Sequence, residues 1–386
     1  MVIGVPKEIL VRERRVAVTP DETRAYIAMG FSVLVESGAG AGSLHSDEEY
    51  RDAGAEIVDN AEAVFSRADL ILKVKQPHYN AALGKGEADM IREGATLITF
   101  LHPAAPDNHE MIRRLRDRNI LSFTMDGIPR ISRAQGMDAL SSMSTITGYK
   151  SVIIAAGLLP KFIPMIGTAI GATKPAKVLV VGAGVVGLQA VATAKRLGGI
   201  VTAADIRPAA LEEAASLGAK VVELGVPTDV ALAEGGYARS LPKEWLDHER
   251  ETLAPLVADA DIIILSALVP SELAPVVITE EMIATMRPGS VIVDVSVDQG
   301  GNCAATKGGE EVTVNGVTIS GLLNIPGSVP VHASWLYSKN MLAFVKNLYK
   351  NGIGTPDYDD EIVRSTLVTR DGELLHAGAL HAMGSA

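Results

Sequence analysis

Three glycines, Gly182, Gly184 and Gly187, follow the apolar segment 178–181 with the spacing G-x-G-x-x-G. In this pattern the first glycine permits a tight turn, the second lets the backbone approach a pyrophosphate, and the third lets a helix pack closely on the preceding strand. The free N–H groups at the start of such a helix attract phosphate oxygens. The spacing predicts a dinucleotide-binding turn, with a glycine-rich turn without ligand as the alternative, over the residues Gly182, Ala183, Gly184, Val185, Val186 and Gly187.

An acidic residue stands where this interpretation requires one. A second apolar strand, 200–204, ends at Asp205, and an acid about 20 residues after the glycine turn binds the ribose hydroxyls of the adenosine half. Its charge would repel the 2′-phosphate of NADP, so the position predicts NAD(H) as the cofactor. We interpret Arg207, two residues further on, as a solvated side chain, with a contact to the adenine as the alternative.

Short apolar strands alternate with helical segments along the whole chain, which predicts the α/β fold class. We expect two doubly wound, Rossmann-like domains, residues 1–140 completed by 331–386 and residues 141–330. In the first domain the strands are 2–5, 32–36, 70–74, 96–101 and 121–125, with helices 20–29 and 107–118. In the second they are 178–181, 200–204, 221–224, 262–266, 291–295 and 318–322.

Two long helices, 135–159 and 331–350, are predicted on either side of the second domain, joining the two domains across a cleft with a hinge. The connection 225–259 is unusually long for an α/β unit and contains Glu234-Gly235-Gly236-Tyr237-Ala238. Long connections are usually functional or disordered. We interpret this one as a movable flap over the cofactor, with a surface decoration as the alternative.

Composition narrows the class of protein. The chain has 386 residues, 47% of them hydrophobic, and 46 acidic against 35 basic side chains give a net charge of −11. That charge disfavours binding to nucleic acid or to an anionic membrane. A single cysteine, Cys303, excludes an internal disulfide, and neither a secretory signal nor a membrane span is evident. We expect a soluble protein of a reducing compartment, without a metal site.

Cationic side chains stand at the predicted carboxyl ends of the strands in the first domain, where ligands of open α/β sheets bind. Arg15 lies in the first loop, Lys75 ends the segment LILKVK, and His102 ends LITFLH. Such a trio suits a small carboxylate. The alternative is that Arg15 and Lys75 merely pair with acids such as Glu8 or Glu13.

The segment 129–143, PRISRAQGMDALSSM, resembles the RISRAQ-x-x-D segment in the soluble NAD(H)-binding component of proton-translocating nicotinamide nucleotide transhydrogenase. The same family carries the Gly-Gly-Tyr-Ala loop seen at 235–238, the turn at 182–187 and a Gly-Gly-Asn-Cys segment as at 300–303. The resemblance extends from Ile3 to the VTRDG of residues 368–372, essentially the whole chain.

The resemblance implies roles for particular residues. Around the dihydronicotinamide it places Arg130, Gln135, Asp138 and Ser141, with Gln135 also reaching towards the NADP ribose of the partner. Helix capping is the alternative for this quartet, because Ser132 and Asp138 are both plausible first-turn residues. Further contacts to the cofactor are expected from Ile206, Arg207, Tyr237, Ala267 and Leu268.

The implied reaction is direct, Re/Si-specific hydride transfer between NADH on this chain and NADP⁺ on a separate component. This step needs positioning rather than an acid or base. A membrane-spanning component couples the transfer to proton translocation. The resemblance also implies a homodimer that lies peripherally on the cytoplasmic face of the inner membrane through its partners, without inserting into the membrane itself.

Two alternatives stay open. Alanine dehydrogenase shares the two-domain fold, and its pyruvate-binding and catalytic positions match Arg15, Lys75, His102 and Asp298, whereas transhydrogenase components often lack the second lysine of KVK or the aspartate at position 298. The RISRAQ segment and the Gly-Gly-Tyr insertion are not features of alanine dehydrogenase. The other alternative is an NAD-sensing regulatory subunit, because a nucleotide-binding fold does not imply turnover.

Overall fold

A computed structural model describes residues 1–232, 238–269 and 272–384. The chain divides into two compact units. Unit 1 consists of Met1–Met143 and Pro326–Ala386, and unit 2 of Ser144–Ile325. Each unit contains one large, mainly parallel sheet with helices in its crossover connections, so the predicted α/β class with two doubly wound sheets is confirmed.

In the described ranges the helices and strands follow one another in the alternation expected of this class. The strands are β1 (Val2–Val5), β2 (Ser32–Glu36), β3 (Glu56–Val58), β4 (Leu70–Leu72), β5 (Tyr79–Asn80), β6 (Lys85–Gly86), β7 (Thr96–Thr99), β8 (Leu121–Thr124), β9 (Gly167–Thr168), β10 (Gly171–Ala172), β11 (Lys177–Val181), β12 (Ile200–Asp205), β13 (Lys220–Glu223), β14 (Ile262–Leu265), β15 (Val291–Asp294), β16 (Glu311–Val314), β17 (Val317–Ser320), β18 (Leu367–Arg370) and β19 (Glu373–Leu374). The helices are α1 (Pro20–Ala28), α2 (Asp47–Asp52), α3 (Ala61–Arg67), α4 (Glu87–Met90), α5 (His109–Asp117), α6 (Ala139–Leu158), α7 (Val185–Arg196), α8 (Pro208–Ser216), α9 (Thr228–Ala231), α10 (Lys243–Asp259), α11 (Glu280–Thr285), α12 (Pro330–Leu348), α13 (Glu361–Thr366) and α14 (Ala377–Ala382).

The sheet of unit 1 has the order β19-β18-β8-β7-β4-β1-β2-β3. Its six strands from β8 to β3 run parallel, and the carboxyl-terminal strands β18 and β19 complete one edge in antiparallel fashion. The strand order reverses between β1 and β4. The loops after these strands therefore open at a topological switch point, where ligands of open α/β sheets bind.

The large sheet of unit 2 has the order β13-β12-β11-β14-β15-β17-β16, in which the edge strand β16 runs antiparallel to β17 and the other neighbouring strands are parallel. Because side chains alternate along a strand, β11 covers both faces of the sheet. Val178 and Val180 pack in one apolar cluster, and Leu179 and Val181 pack in the other. The strand order reverses between β11 and β14, so the loops after these two strands flank the switch point of unit 2.

The structure corrects three predicted elements. The helix expected from residue 135 begins at Ala139, after a 3₁₀ turn over Ser132–Met137. Most of the connection 225–259 is helical, because α9 and α10 have 4 and 17 of its 35 residues, and residues 234–237 of the predicted flap lie outside the described residues. Strands β3, β16, β18 and β19 were not predicted, since they have two to four residues each and lie at or near sheet edges, where an apolar pattern is weak.

Candidate functional site

The glycine turn between β11 and α7 depends on the absence of side chains at two positions. Gly182 has a φ of +89°, and a Cβ there would lie 2.7 Å from the backbone nitrogen of Ala267. A Cβ on Gly187 would lie 1.9 Å from the carbonyl oxygen of Gly182. Gly184 differs, because the nearest atom to its Cβ would be Nη2 of Arg207 at 3.8 Å. Gly182 and Gly187 thus serve the fold, and Gly184 leaves open space beside the turn.

The start of α7 provides backbone donors. The first bond within the helix is donated by the Leu188 N–H to the Gly184 carbonyl at 2.8 Å, so the N–H groups of Val185, Val186 and Gly187 are not used by the helix itself. The first turn contains no acidic residue, and Gly184 at the N-cap has no side chain to occupy these donors. This geometry suits the oxygens of a pyrophosphate.

Asp205 ends β12 and is 6% exposed. Its carboxylate accepts the Ala183 N–H at 2.7 Å, which ties the glycine turn to the neighbouring strand. It also accepts Nε and Nη2 of Arg207 at 2.9 and 2.8 Å and the backbone N–H of Arg207. Because this bidentate pair holds the guanidinium and leaves its side chain only 24% exposed, the interpretation of Arg207 as a solvated side chain is wrong.

Ala267 and Leu268 follow β14 and are positioned by a residue whose role the sequence did not reveal. Asn302 is fully buried, and its Nδ2 donates to the carbonyl oxygens of Ala267 and Pro275, both at 2.8 Å. Its Oδ1 accepts the Ala267 N–H at 3.0 Å. The side chain of Asn302 therefore holds both backbone groups of Ala267. The Gly-Gly-Asn-Cys segment that contains Asn302 was the sequence feature from which this role could have been inferred.

The segment around Asn302 is itself folded around Asp294, the last residue of β15. The fully buried Asp294 carboxylate accepts the N–H groups of Ser296, Asn302 and Cys303 at 3.1, 2.8 and 3.0 Å and the Thr306 hydroxyl at 2.8 Å. Burial raises the pKa of Asp294, although these hydrogen bonds oppose the rise. A buried carboxylate with four donors fixes its loop firmly, so Asp294 and Asn302 together position the loop after β14.

Asn302→Ala should lower stability by about 1–3 kcal/mol, because three partly buried backbone groups lose their partner. It should also weaken binding of NADH, the cofactor predicted from the sequence, since Ala267 and Leu268 lose their support. Thermal unfolding and fluorescence titration with NADH measure the two effects. Gln299→Ala, at an exposed position of the same loop, is the control and should leave both values unchanged. Unchanged NADH affinity in Asn302→Ala would contradict the positioning role.

In unit 1 the loop that carries Gln135 is held at both ends while Gln135 itself is exposed. Arg133 forms ion pairs with Asp360 at 2.9 Å and Glu361 at 3.0 Å. Asn340, on α12, donates its Nδ2 to the carbonyl of Gly136 at 2.9 Å. These contacts fix the 3₁₀ turn around Gln135. Sequence reasoning missed both anchoring residues, because their partners are about 200 positions away.

Asp138 and Ser141 are brought together at the first turn of α6. Asp138 accepts the Ser141 N–H at 2.9 Å and its hydroxyl at 2.6 Å, so the alternative of helix capping is confirmed for Asp138. Arg130, eight residues earlier, is exposed. Tyr237 lies outside the described residues.

An internal ion pair engages one member of the predicted carboxylate-binding trio, Arg15. The buried Arg15 binds both oxygens of Glu13, at 2.8 and 2.5 Å, which confirms the alternative of internal pairing for Arg15. His102 is at a φ of +44°, with Nδ1 3.3 Å from Asp126.

The fully buried lysine of the KVK segment is Lys73, not Lys75. Its Nζ lies 3.5 Å from Glu8 and 3.0 Å from Glu87. Burial raises the pKa of Glu8 to about 6 despite this lysine. The backbone N–H of Lys75 also donates to Glu8, at 3.4 Å. Glu8 and Glu87 therefore serve the Lys73 ammonium and the backbone of this loop.

Known protein families match the chain along most of its length. Family models described as the N-terminal and C-terminal domains of alanine dehydrogenase/PNT match residues 4–147 and 151–377. An NAD(P) transhydrogenase alpha-subunit chain of Rhodospirillum rubrum is 42% identical over 379 residues, covering 97% of this chain and 98% of its own.

Two solved structures have the same fold. A transhydrogenase structure from Sinorhizobium meliloti has a TM-score of 0.84 at 38% identity, covering 97% of this chain and all of its own. An L-alanine dehydrogenase has a TM-score of 0.83 at 29% identity, covering 100% of this chain and 99% of its own. Fold similarity alone does not separate these relatives, whereas identity is higher with the transhydrogenases. The chain belongs to the alanine dehydrogenase/PNT family and is a homologue of the transhydrogenase alpha subunits, with alanine dehydrogenase a more distant relative.

Proposed function

We propose that this chain is the NAD(H)-binding subunit of a proton-translocating transhydrogenase. It binds NADH and passes the hydride directly to NADP⁺ held on a separate component, with Re/Si specificity. A membrane-spanning component couples that transfer to proton translocation. Within the family, 42% identity along nearly the full length of a transhydrogenase alpha chain is the observation that favours this function most.

The cofactor half of the proposal rests on unit 2. Backbone N–H groups at the start of α7 bind the pyrophosphate, and Gly184 lets it approach. Asp205 offers its carboxylate to the ribose hydroxyls while it holds Arg207 beside the turn. Ala267 and Leu268, anchored by Asn302, line the site together with Ile206. The role over the cofactor that the resemblance implies for Tyr237 is part of the proposal, and Tyr237 lies outside the described residues.

The hydride-transfer half rests on the loop 130–141 of unit 1. Arg130 and Gln135 orient the carboxamide and ribose of the nicotinamide half, and Gln135 also meets the NADP ribose of the partner. Asp138 and Ser141 support this loop by capping α6. The exposure of Gln135 on an anchored turn suits a residue that must reach a second protein. Direct transfer requires only that both C4 atoms be aligned, so positioning is the task of these residues.

Assembly follows the same proposal. Among the described residues no helix is long and apolar enough to cross a bilayer. The proposal also places the subunit peripherally on the cytoplasmic face of the inner membrane, through the partner subunits that similarity to a transhydrogenase alpha chain implies. A homodimer is supported by the β9–β10 hairpin region, which exposes Phe162, Met165 and Ile170 at 59, 66 and 99%. Exposed apolar side chains within one short segment suit a contact between copies.

The decisive experiment compares two reactions of the purified chain. With NADH and a purified NADP-binding transhydrogenase component it should form NADPH. With NADH, pyruvate and ammonium it should form no appreciable alanine, because Arg15 is already paired with Glu13. NADH binding without either reaction would favour an NAD-sensing subunit. Robust alanine formation by the chain alone, abolished by His102→Ala, would instead establish an alanine dehydrogenase.

A further inference from the structure

Helix α10 carries one carboxylate on its apolar face. Leu246, Glu249 and Leu253 are spaced by three and four residues and so share one side of the helix. The two leucines pack in the apolar cluster that contains Ile206 and Leu224, the residues that follow β12 and β13. Glu249 therefore faces the carboxyl ends of the two strands that would border the adenosine half of a dinucleotide.

Glu249 is 5% exposed and accepts no hydrogen bond from any residue in the described ranges. The neighbouring cation does not pair with it, because Arg250 donates Nε and Nη2 to the Val276 carbonyl at 3.0 and 2.7 Å and Nη1 to Asp247. A largely buried carboxylate that no hydrogen bond among the described residues satisfies is costly to keep charged, even where its oxygens retain a little contact with solvent, and so requires an explanation. Glu249 forms no hydrogen bond or ion pair among the described residues that would stabilise the fold, so a structural role does not explain its burial.

The electrostatic neighbour of Glu249 is Asp205. Burial and the charge of Asp205 raise the pKa of Glu249 to about 7, with Arg250 opposing the rise. Asp205 already binds the guanidinium of Arg207 with both oxygens. Asp205 and Glu249 are thus two carboxylates near the end of β12, and the cation beside them, Arg207, is already bound by Asp205. Above neutral pH these three side chains together carry a net negative charge.

We propose that Glu249 is a specificity-determining residue of the cofactor site, which together with Asp205 forms a two-carboxylate subsite that admits an adenosine with free ribose hydroxyls and excludes a 2′-phosphate. The inference rests on the proposed binding of NAD(H) and adds a second determinant to it. A carboxylate accepts hydrogen bonds from hydroxyl groups. A 2′-phosphate carries about −1.5 to −2 charges at neutral pH, and like charges at short range in a buried site repel strongly.

Arg207 makes the second acid necessary. A guanidinium beside the strand-tip acid is a ready partner for a 2′-phosphate, so Asp205 by itself would discriminate weakly against NADP(H). The additional negative charge of Glu249 offsets that attraction. Removing this charge should therefore improve binding of NADPH more than it changes binding of NADH.

The test uses Glu249→Gln, which is nearly isosteric, and Glu251→Gln as a matched control at an exposed position of the same helix. Dissociation constants of NADH are measured by fluorescence titration, and those of NADPH by competition with NADH. At about pH 8, where Glu249 is ionised, Glu249→Gln should bind NADPH about tenfold more tightly, while NADH affinity changes less than about threefold. At about pH 6 the wild type and Glu249→Gln should converge, and Glu251→Gln should match the wild type throughout.

Thermal unfolding separates this role from a structural one. The folded pKa of Glu249 is raised, so its contribution to stability is present below the ordinary value near 4.5 and is lost as the pH rises through about 7. The charged groups nearby are Asp205, Arg207 and Arg250. The melting temperature of Glu249→Gln should therefore equal or exceed that of the wild type at about pH 8. A merely structural glutamate would shift the melting temperature without changing the cofactor preference.

The outcomes distinguish the two proposals. In the first outcome the wild type binds NADH, and the ratio of the NADH and NADPH dissociation constants in Glu249→Gln stays within about twofold of the wild-type ratio at about pH 8. The role of Glu249 is then rejected, and the proposed function stands. If the wild type does not bind NADH at all, the proposed function fails first, and this inference fails with it.

Discussion

Gly187→Ala is expected to abolish measurable NADH binding and to lower the free energy of unfolding by about 1–3 kcal/mol. The added Cβ would lie 1.9 Å from the carbonyl oxygen of Gly182 and 2.9 Å from its carbonyl carbon. Both are backbone atoms of a turn that is also tied to Asp205 through Ala183. The turn or α7 must therefore shift, and the N–H groups at the start of α7 then lose their alignment. Isothermal titration with NADH and thermal unfolding measure the two effects.

Gly184→Ala is the matched control, because the same methyl group enters open space there. Its nearest neighbour would be Nη2 of Arg207 at 3.8 Å, an ordinary contact. The melting temperature should stay close to that of the wild type, whereas NADH affinity should fall at least about tenfold since the methyl group blocks the approach of the pyrophosphate. Equal losses of stability in the two variants, or normal NADH affinity in Gly184→Ala, would argue against a cofactor at this turn.

Gln135→Asn is expected to reduce the rate of transhydrogenation about 100-fold, because shortening the side chain by one methylene displaces the amide by about 1 Å at a hydride-transfer site. NADH affinity should change much less, since the contacts of the pyrophosphate and adenosine lie in unit 2. The melting temperature should also be unaffected, because the Gln135 side chain is exposed. Single-turnover transfer from NADH to NADP⁺ on the partner component, followed by stopped-flow absorbance, measures the rate.

A comparison with Arg133→Ala tests the anchoring of the same loop. That change removes the ion pairs to Asp360 and Glu361 and leaves Gln135 intact, so it should slow transfer less than Gln135→Asn does. If Gln135→Asn transfers hydride at the wild-type rate, Gln135 does not position the nicotinamide or the partner.

Helix α10 was not predicted from the sequence. Its 17 residues contain Pro255 and several charged side chains, and a proline within a helical pattern normally signals an end. The apolar positions Leu246, Leu253 and Val257 nevertheless recur with helical spacing. Tertiary burial of that stripe, with Leu253 and Val257 fully buried, outweighed the weak local preference.

The course of the loop before α6 was set by a contact that local patterns do not encode. Periodicity extended the helix back to residue 135, but Asp138 caps α6 and the preceding residues form a 3₁₀ turn. The ion pair of Arg133 with Asp360 spans 227 positions. No pattern within a window of 10 to 20 residues can anticipate such a partner.

The sequence by itself determines the features that depend on the order of neighbouring residues, namely the glycine turn and the strands of the two sheets. The glycine spacing at 182–187 specifies the turn, because a Cβ at Gly182 or Gly187 would meet backbone atoms, and the strand periodicity specifies two doubly wound sheets. Tertiary structure decided which charges are engaged. Only folding brings Asp205 to the Ala183 N–H and Asn302 to Ala267 across 35 positions. Folding also buries Glu249 on α10. These outcomes depend on burial and on competition among all nearby donors and acceptors, which exist only once distant segments have packed together.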